Sequence, residues 1–256
     1  MKKRKLNKKN VFLAIVIVIS LIMLIFSGIK IIKYIINNNE NKEIQELLIE
    51  ETINIIKQDP ESTENNEEIT YEVDFATLKK KNKDAIAYLK VYGTKIDNIV
   101  VRGSDNDYYL DHNFNRDYNT AGWLFADYHN KFDESDYNII IYGHNMRDGS
   151  MFGTLHNVLY NDWQQNEENL RIVLVTENKT YYYQTFSTYT IKVEDYYINT
   201  EFSSDDEFKT FITKLKARSE HNFNVSVSGS DRILTLSTCT SNGTKRVVLH
   251  AKLIQE

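Results

Sequence analysis

Disulfides cannot hold this chain together, because its 256 residues include a single cysteine, Cys239. One thiol also excludes a zinc site built from several thiolates, and no residue pattern asks for any other metal or for a cofactor. The only proline is Pro60, so a proline-rich stalk is excluded as well. A basic stripe with interleaved aromatics is also missing. The net charge is −5, and Lys2, Lys3, Arg4, Lys5, Lys8 and Lys9 are crowded before residue 10, which leaves the rest of the chain strongly acidic. Phosphate backbones are bound mainly through Lys and Arg, so nucleic acid is excluded as a partner. No internal repeat is visible.

What is present begins with a membrane segment. Residues 11–29 read VFLAIVIVISLIMLIFSGI, without a charge. At ~1.5 Å per residue this run can cross a ~30 Å hydrocarbon core. Ile31, Ile32, Ile35 and Ile36 extend it to residue 36, with Lys30 and Lys33 placed to snorkel. A cleaved signal peptide would carry a shorter apolar run and a small-x-small site. Neither feature occurs here, so the expectation is an uncleaved anchor over residues 11–36. The basic cluster before the span keeps residues 1–10 in the cytoplasm and sends the body outside. In that compartment idle free thiols are unusual, which argues against a merely buried Cys239. Residues 37–70 are rich in Asn and Glu, with a short amphipathic stretch (Ile44, Leu47, Leu48, then Ile55 and Ile56) ahead of Asp59 and Pro60. They read as an extracellular spacer, partly helical, with residues 61–68 disordered.

Residues 71–256 form the body. Phe75, Leu78, Ile86 and Leu89 predict one or two helical turns leading into it. Short runs rich in Val, Ile, Tyr, Phe and Thr then predict strands at 96–101, 122–126, 138–142, 170–176, 180–190, 191–197, 232–237 and 246–254. Asn178-Lys179 and Asn242-Gly243 are the hairpin-turn candidates. Met151, Leu155, Val158 and Leu159 recur at helical spacing. Residues 204–218 open with a capping box, Ser204 and Glu207, and place Phe208, Phe211, Ile212 and Leu215 on one face. Around eight strands without βαβ alternation predict a mainly β fold, a closed or nearly closed barrel.

Three segments carry chemistry. The β-forming run Ile139-Ile140-Ile141-Tyr142 ends at Gly143-His144-Asn145-Met146, which puts an imidazole at a sheet rim. The run Thr235-Leu236-Ser237-Thr238 ends at Cys239, and Arg246 opens the next β-run. If residues 242–243 turn the chain, Cys239 and Arg246 flank one hairpin mouth. A thiol with its ordinary pKa near ~8.5 is a weak nucleophile until it loses its proton. A neighbouring imidazole can take that proton and later return it to a leaving amine. A fixed donor at the carbonyl oxygen that turns anionic is worth ~3–4 kcal/mol, and the permanently charged, forked guanidinium of Arg246 suits that place. His112, His129, His156, His221 and His250 have no comparable setting and read as structural or surface residues.

Thr235-Leu236-Ser237-Thr238-Cys239 matches the Thr-Leu-x-Thr-Cys signature of sortases. The Gly143-His144-Asn145-Met146 and Arg246-Val247-Val248 segments follow in the expected order. The capped helix between late strands and the helical lead-in resemble class B sortases, membrane-anchored cysteine transpeptidases of Gram-positive bacteria. That resemblance covers residues 71–256 and implies an eight-stranded barrel with an N-terminal helical lead-in and a helix between the late strands, behind one transmembrane helix. It implies cleavage of a C-terminal sorting pentapeptide, of Asn-Pro-x-Thr or Leu-Pro-x-Thr type, after Thr. The acyl group would be held as a thioester on Cys239 and passed to an amine of a cell-wall peptide. The implied partners are surface proteins bearing sorting signals, a peptidoglycan precursor or cell-wall peptide amine, and the membrane. Ser237 and Thr238 are expected to contact substrate or the oxyanion. The six residues between Cys239 and Arg246 contain no acid, so no carboxylate is named as a third member of the set.

Other chemistries use the same residue types. Cysteine phosphatases need five residues between Cys and Arg, in a glycine-rich cradle that opens a helix, whereas six residues and a β-run stand here. Papain-like hydrolases place the Cys before the His, the reverse of this order. Another extracellular cysteine hydrolase, or a non-catalytic cell-surface binding module with Cys239 buried, completes the alternatives.

Overall fold

A computed structural model describes residues 8–57, 69–194, 196–240 and 243–255. Lys2 to Lys5, the stretch expected to be disordered at 61–68, and Asn242 of the second turn candidate lie outside the described residues. Helix α1 (Lys8–Thr52) leads into a hairpin of β1 (Ile53–Lys57) and β2 (Ile69–Val73), followed by α2 (Phe75–Lys81). The body then runs β3 (Ala85–Val91), β4 (Asp97–Val101), β5 (Phe125–Ala126), β6 (Asn138–Tyr142), a short α3 (Asn161–Gln164), β7 (Arg171–Thr176), β8 (Thr180–Lys192), α4 (Asp205–Ala217), β9 (Ile233–Cys239) and β10 (Lys245–Gln255). Eight of these strands close a barrel in the order β10-β8-β7-β3-β4-β5-β6-β9. The expected mainly β barrel, with its leading helices and its late helix, is the observed fold.

Closure leaves the barrel sheet without an open edge and gives β9 two neighbours. β6 runs parallel to it on one side and β10 antiparallel on the other. Residues Ile233 to Thr238 of β9 are all buried, and only Cys239, at its end, is partly exposed. Large rings fill the interior, among them Trp123, Tyr88, Tyr109, Tyr183 and Phe186. One set of buried polar groups inside the barrel is paired internally. His250 Nε2 lies 2.8 Å from the Tyr189 hydroxyl, and its Nδ1 lies 2.8 Å from Thr235 Oγ1. That hydroxyl donates to Asn138 Oδ1 at 2.6 Å.

Helix α4 starts where its cap predicts. Ser204 accepts from the Glu207 amide at 3.2 Å, while the Glu207 carboxylate reaches back to Ser203, whose amide donates at 2.8 Å. The expected helical lead-in is helical only through α2. Asn82 adopts an extended conformation, and Ile86 and Leu89 belong to β3, a strand covered on both faces whose nearly continuous burial hides the period of two. The strand expected at 122–126 shrinks to β5, because Gly122 turns the chain at φ +58° and the Trp123 indole donates to the Ile99 carbonyl. Ile191 and Lys192 extend β8, and Tyr196–Ile198 form a 3-10 turn rather than a strand. The helical spacing from Met151 is realised as a 3-10 helix, Leu155–Leu159, plus α3, with Met151 itself at φ +49°.

The anchor segment and the first part of the expected spacer, as far as Thr52, form one unbroken helix, while Ile53–Lys57 and residues 69–70 of that spacer belong to the β1–β2 hairpin. From Asn37 onward α1 lies against the barrel rather than standing clear of it. Asn41 Nδ2 donates to the Gly122 carbonyl at 2.8 Å, and Leu48 is 3% exposed in the core cluster.

Candidate active site

Strand register places the three expected residues at one end of the barrel. The last pair of the parallel ladder is Tyr142 with Ser237, and His144 and Cys239 each follow that pair by two residues. In the antiparallel ladder Arg246 is the direct partner of Cys239. Imidazole, thiol and guanidinium therefore leave three adjacent positions along one rim. They line a single cavity of about 270 Å³ together with Leu110, Tyr142, Glu194, Tyr197, Ser237 and Thr238. Gly243 takes φ +70° in the connection between β9 and β10.

The segment carrying His144 is held on several sides. Gly143 leaves no room for a larger residue, since an added Cβ would sit 2.2 Å from Leu124 Cδ2 and 2.9 Å from Phe152 Cγ. The Thr238 hydroxyl donates to the Gly143 carbonyl at 2.7 Å, tying the residue before the imidazole to the residue before the thiol. Asn145 Nδ2 donates to the Cys239 carbonyl at 2.9 Å from the other side. His144 Nε2 lies 2.7 Å from the Leu110 carbonyl. A carbonyl only accepts, so Nε2 carries the hydrogen and Nδ1 is the nitrogen left to take up a proton.

Ser237 and Thr238 thus differ in setting. Both are nearly buried, but Ser237 Oγ faces the Tyr197 hydroxyl at 3.0 Å on the cavity wall, whereas the Thr238 hydroxyl is engaged with Gly143. Burial pushes the Tyr197 phenol up, against the opposing pull of Ser237's hydrogen bond and of the Arg246 charge, while Cys239 and Glu194 push it further up. Tyr197 therefore stays a neutral hydroxyl on the cavity wall.

Sequence reasoning missed Asn145, Leu110 and Tyr197. Asn145 stood inside the quoted motif, next to His144. Leu110 contributes through its backbone, which leaves no trace in side-chain chemistry. Tyr197 was assigned to a strand that the chain does not form. No cluster of metal-ligating side chains occurs among the described residues.

A family model described as a sortase domain matches residues 89–254. Sortase B of Listeria monocytogenes (serovar 1/2a, strain EGD-e) is 36% identical over 233 residues, covering 90% of this chain and 92% of that protein. The chain belongs to the class B sortases. This sortase is also 31% identical to sortase B of Staphylococcus aureus over 249 residues, 95% of this chain and 97% of the relative. Among solved structures, sortase B of Bacillus anthracis in complex with AAEK1 superposes with a TM-score of 0.73 at 29% identity, covering 87% of this chain and 100% of that one. Clostridium perfringens sortase B gives 0.67 at 34% identity, over 71% and 100% of the two chains. The protein is accordingly an enzyme, a sortase transpeptidase, and the phosphatase, papain-like and non-catalytic readings fall away.

Proposed function

We propose that Cys239 is the nucleophile of this sortase, His144 its proton partner and Arg246 the group that stabilises the oxyanion. The observation that carries the assignment is that Cys239 is the ladder partner of Arg246 and that both line one cavity with His144, which follows the last β6–β9 pair, Tyr142 with Ser237. The Cys239 sulfur attacks the Thr carbonyl of a sorting pentapeptide of Asn-Pro-x-Thr or Leu-Pro-x-Thr type, and Arg246 faces the negative charge that develops on oxygen. His144 protonates the departing amine, the peptide bond breaks, and the acyl group remains on sulfur as a thioester. An amine of a cell-wall peptide or peptidoglycan precursor then attacks that carbonyl and passes a proton to His144, and the carbon–sulfur bond breaks, so that Cys239 and His144 together regain the proton used in the first half. Ser237 belongs to the substrate wall with Tyr197. Thr238 holds the Gly143 carbonyl, and through it the imidazole.

Residues 11–36 anchor the enzyme as a single-pass protein of the cell membrane. Residues 1–10 are cytoplasmic, residues 37–70 extracellular, and residues 71–256 the extracellular catalytic domain. Support comes from the basic residues ahead of the span and from α1, the one helix among the described residues long and apolar enough to cross a membrane.

The test is turnover of fluorogenic pentapeptides of both types, read alongside thiol labelling. Cys239→Ala should lower cleavage by more than about a thousandfold while the fold persists. His144→Ala should lower both cleavage and selective labelling of Cys239. Residual activity of Cys239→Ala within about tenfold of the parent would exclude the covalent route.

A further inference from the structure

The helix that enters the membrane is the helix that grips the barrel, and its contacts occur in a fixed order along its axis. Starting at Val11, ~20 residues at ~1.5 Å each span the hydrocarbon and end near Lys30, and a headgroup layer of ~5–7 Å ends near Ile35. Barrel contacts begin at that level. Tyr34 packs against the core cluster, and the Asn37 amide oxygen accepts from the Thr120 amide and hydroxyl, each at 3.0 Å. Asn119 Nδ2 donates to the Asn37 carbonyl at 3.0 Å and reaches Glu40 Oε2 at 3.2 Å. Farther out, Asn41 holds Gly122, Gln45 donates to the Asp97 carbonyl, Glu51 pairs with Lys81, and the Thr52 carbonyl accepts from Asp74. The segment 111–120 is therefore the edge of the barrel nearest the bilayer, and α2 lies at the far end.

We infer that this edge, with the exposed ring of Tyr118 at its tip, rests on the phospholipid interface, so that α1 acts as a rigid post setting the height of the catalytic groove. The inference rests on the anchor reading given above. Tyr118 is 68% exposed and next to Asn119, and an aromatic ring with a polar tip suits the interface. A short chain of contacts links the post to the site. Gly122, held by Asn41, packs so closely on Leu110 that an added Cβ would sit 2.7 Å from its carbonyl oxygen, and that oxygen accepts from His144. Asn41 is one turn beyond Asn37, which places the Gly122 contact, the first link toward the imidazole, roughly 6 Å farther out along α1 than the first contact. Asp111, Asp117 and Glu40 make this edge acidic. Charge attraction to lipid does not seat it, and the tether does. Seating on zwitterionic lipid should then be indifferent to salt.

The full chain in phosphatidylcholine vesicles tests this. Tyr118→Cys, in a Cys239→Ala background that removes the native thiol, is labelled with a fluorophore. Asn178→Cys serves as the distal control, since it lies in the β7–β8 turn beside Glu177, which pairs with Lys79 of α2. Nitroxide lipids labelled near the headgroup should quench the Tyr118 probe several-fold more than the Asn178 probe, with or without added salt. Inserting seven helix-forming residues after Ile36, about two turns or ~10 Å in nearly the same phase, should abolish that difference. The same insertion in the Cys239 parent should leave cleavage of a soluble pentapeptide unchanged. Equal quenching of the two probes in a chain that floats with the vesicles overturns the seating alone. A chain that does not float overturns the anchor reading and the seating with it.

Discussion

Thr238 sits beside Cys239 yet acts on Gly143, so its hydroxyl governs where the imidazole stands rather than what the thiol does. Thr238→Val keeps the branched shape and removes the donor to a carbonyl in a buried part of the rim, which should destabilise the fold by ~1–3 kcal/mol. Turnover should fall further than stability does, and thermal unfolding measured beside peptide cleavage separates the two. Arg246→Lys keeps the charge but loses the planar fork. If Arg246 faces the oxyanion, kcat should drop by about 10²-fold, and a near-normal rate would remove it from the catalytic set. His250 has a different task. Complete burial, reinforced by the Arg218 charge, lowers its pKa from the ordinary 6.5 to about 3. Between those values the unfolded chain takes up a proton that the folded chain refuses. The stability held through neutral His250 is therefore complete above about pH 6.5 and declines as pH falls toward 3. His250→Gln should be less stable than the parent at neutral pH but lose less on acidification from about pH 7 to about pH 4, as thermal melts at each pH would report.

Elements differ in how plainly they can be read before folding. β6 and α4 carry their limits locally. The first is a run of β-branched residues closed by Gly143, and the second has a capped start and four large apolar residues on one face. Ser204→Ala should lower stability by ~1 kcal/mol by removing the acceptor of the Glu207 amide, with little change in turnover, because the cap lies away from the groove. β3 does not announce itself. Its residues face protein on both sides, so the alternation that marks a half-exposed strand is missing, and Ile86 and Leu89 fall by chance three apart. β5 is short for a reason no local pattern contains, namely that Trp123 is drawn inward to the Ile99 carbonyl. The site follows the same division. Cys239, His144 and Arg246 were legible because each stands at the end of a strand whose sequence is distinctive. Tyr197 and the Leu110 carbonyl were not, since only the folded chain brings them to the groove.

At the scale of the molecule, α1 is both the one helix among the described residues long and apolar enough to cross a membrane and part of the barrel's cover. A chain beginning at Asn37 should stay folded and cleave soluble peptide as the parent does. A chain beginning at Ile53 also loses the bond from Asn41 and the burial of Leu48. With ~1.5–3 kcal/mol for a buried Leu and ~1 kcal/mol for the hydrogen bond, its Tm should fall by about 5–10 °C. Equal melting of the two truncated chains would show that the contacts of α1 contribute nothing to the fold.

Taken alone, the sequence determined the long apolar segment, the barrel class and the capped late helix, and it named the three side chains, Cys239, His144 and Arg246, that line one cavity. These are properties of periodicity, composition and residue type, which a linear chain carries with it. Folding decided which residues share a rim, that Thr238 braces Gly143, that a backbone carbonyl orients the imidazole, and that the expected spacer lies on the barrel. Each of these is a pairing between positions distant in the chain. Such pairings exist only once closure of the barrel has fixed the register of every strand against its neighbours.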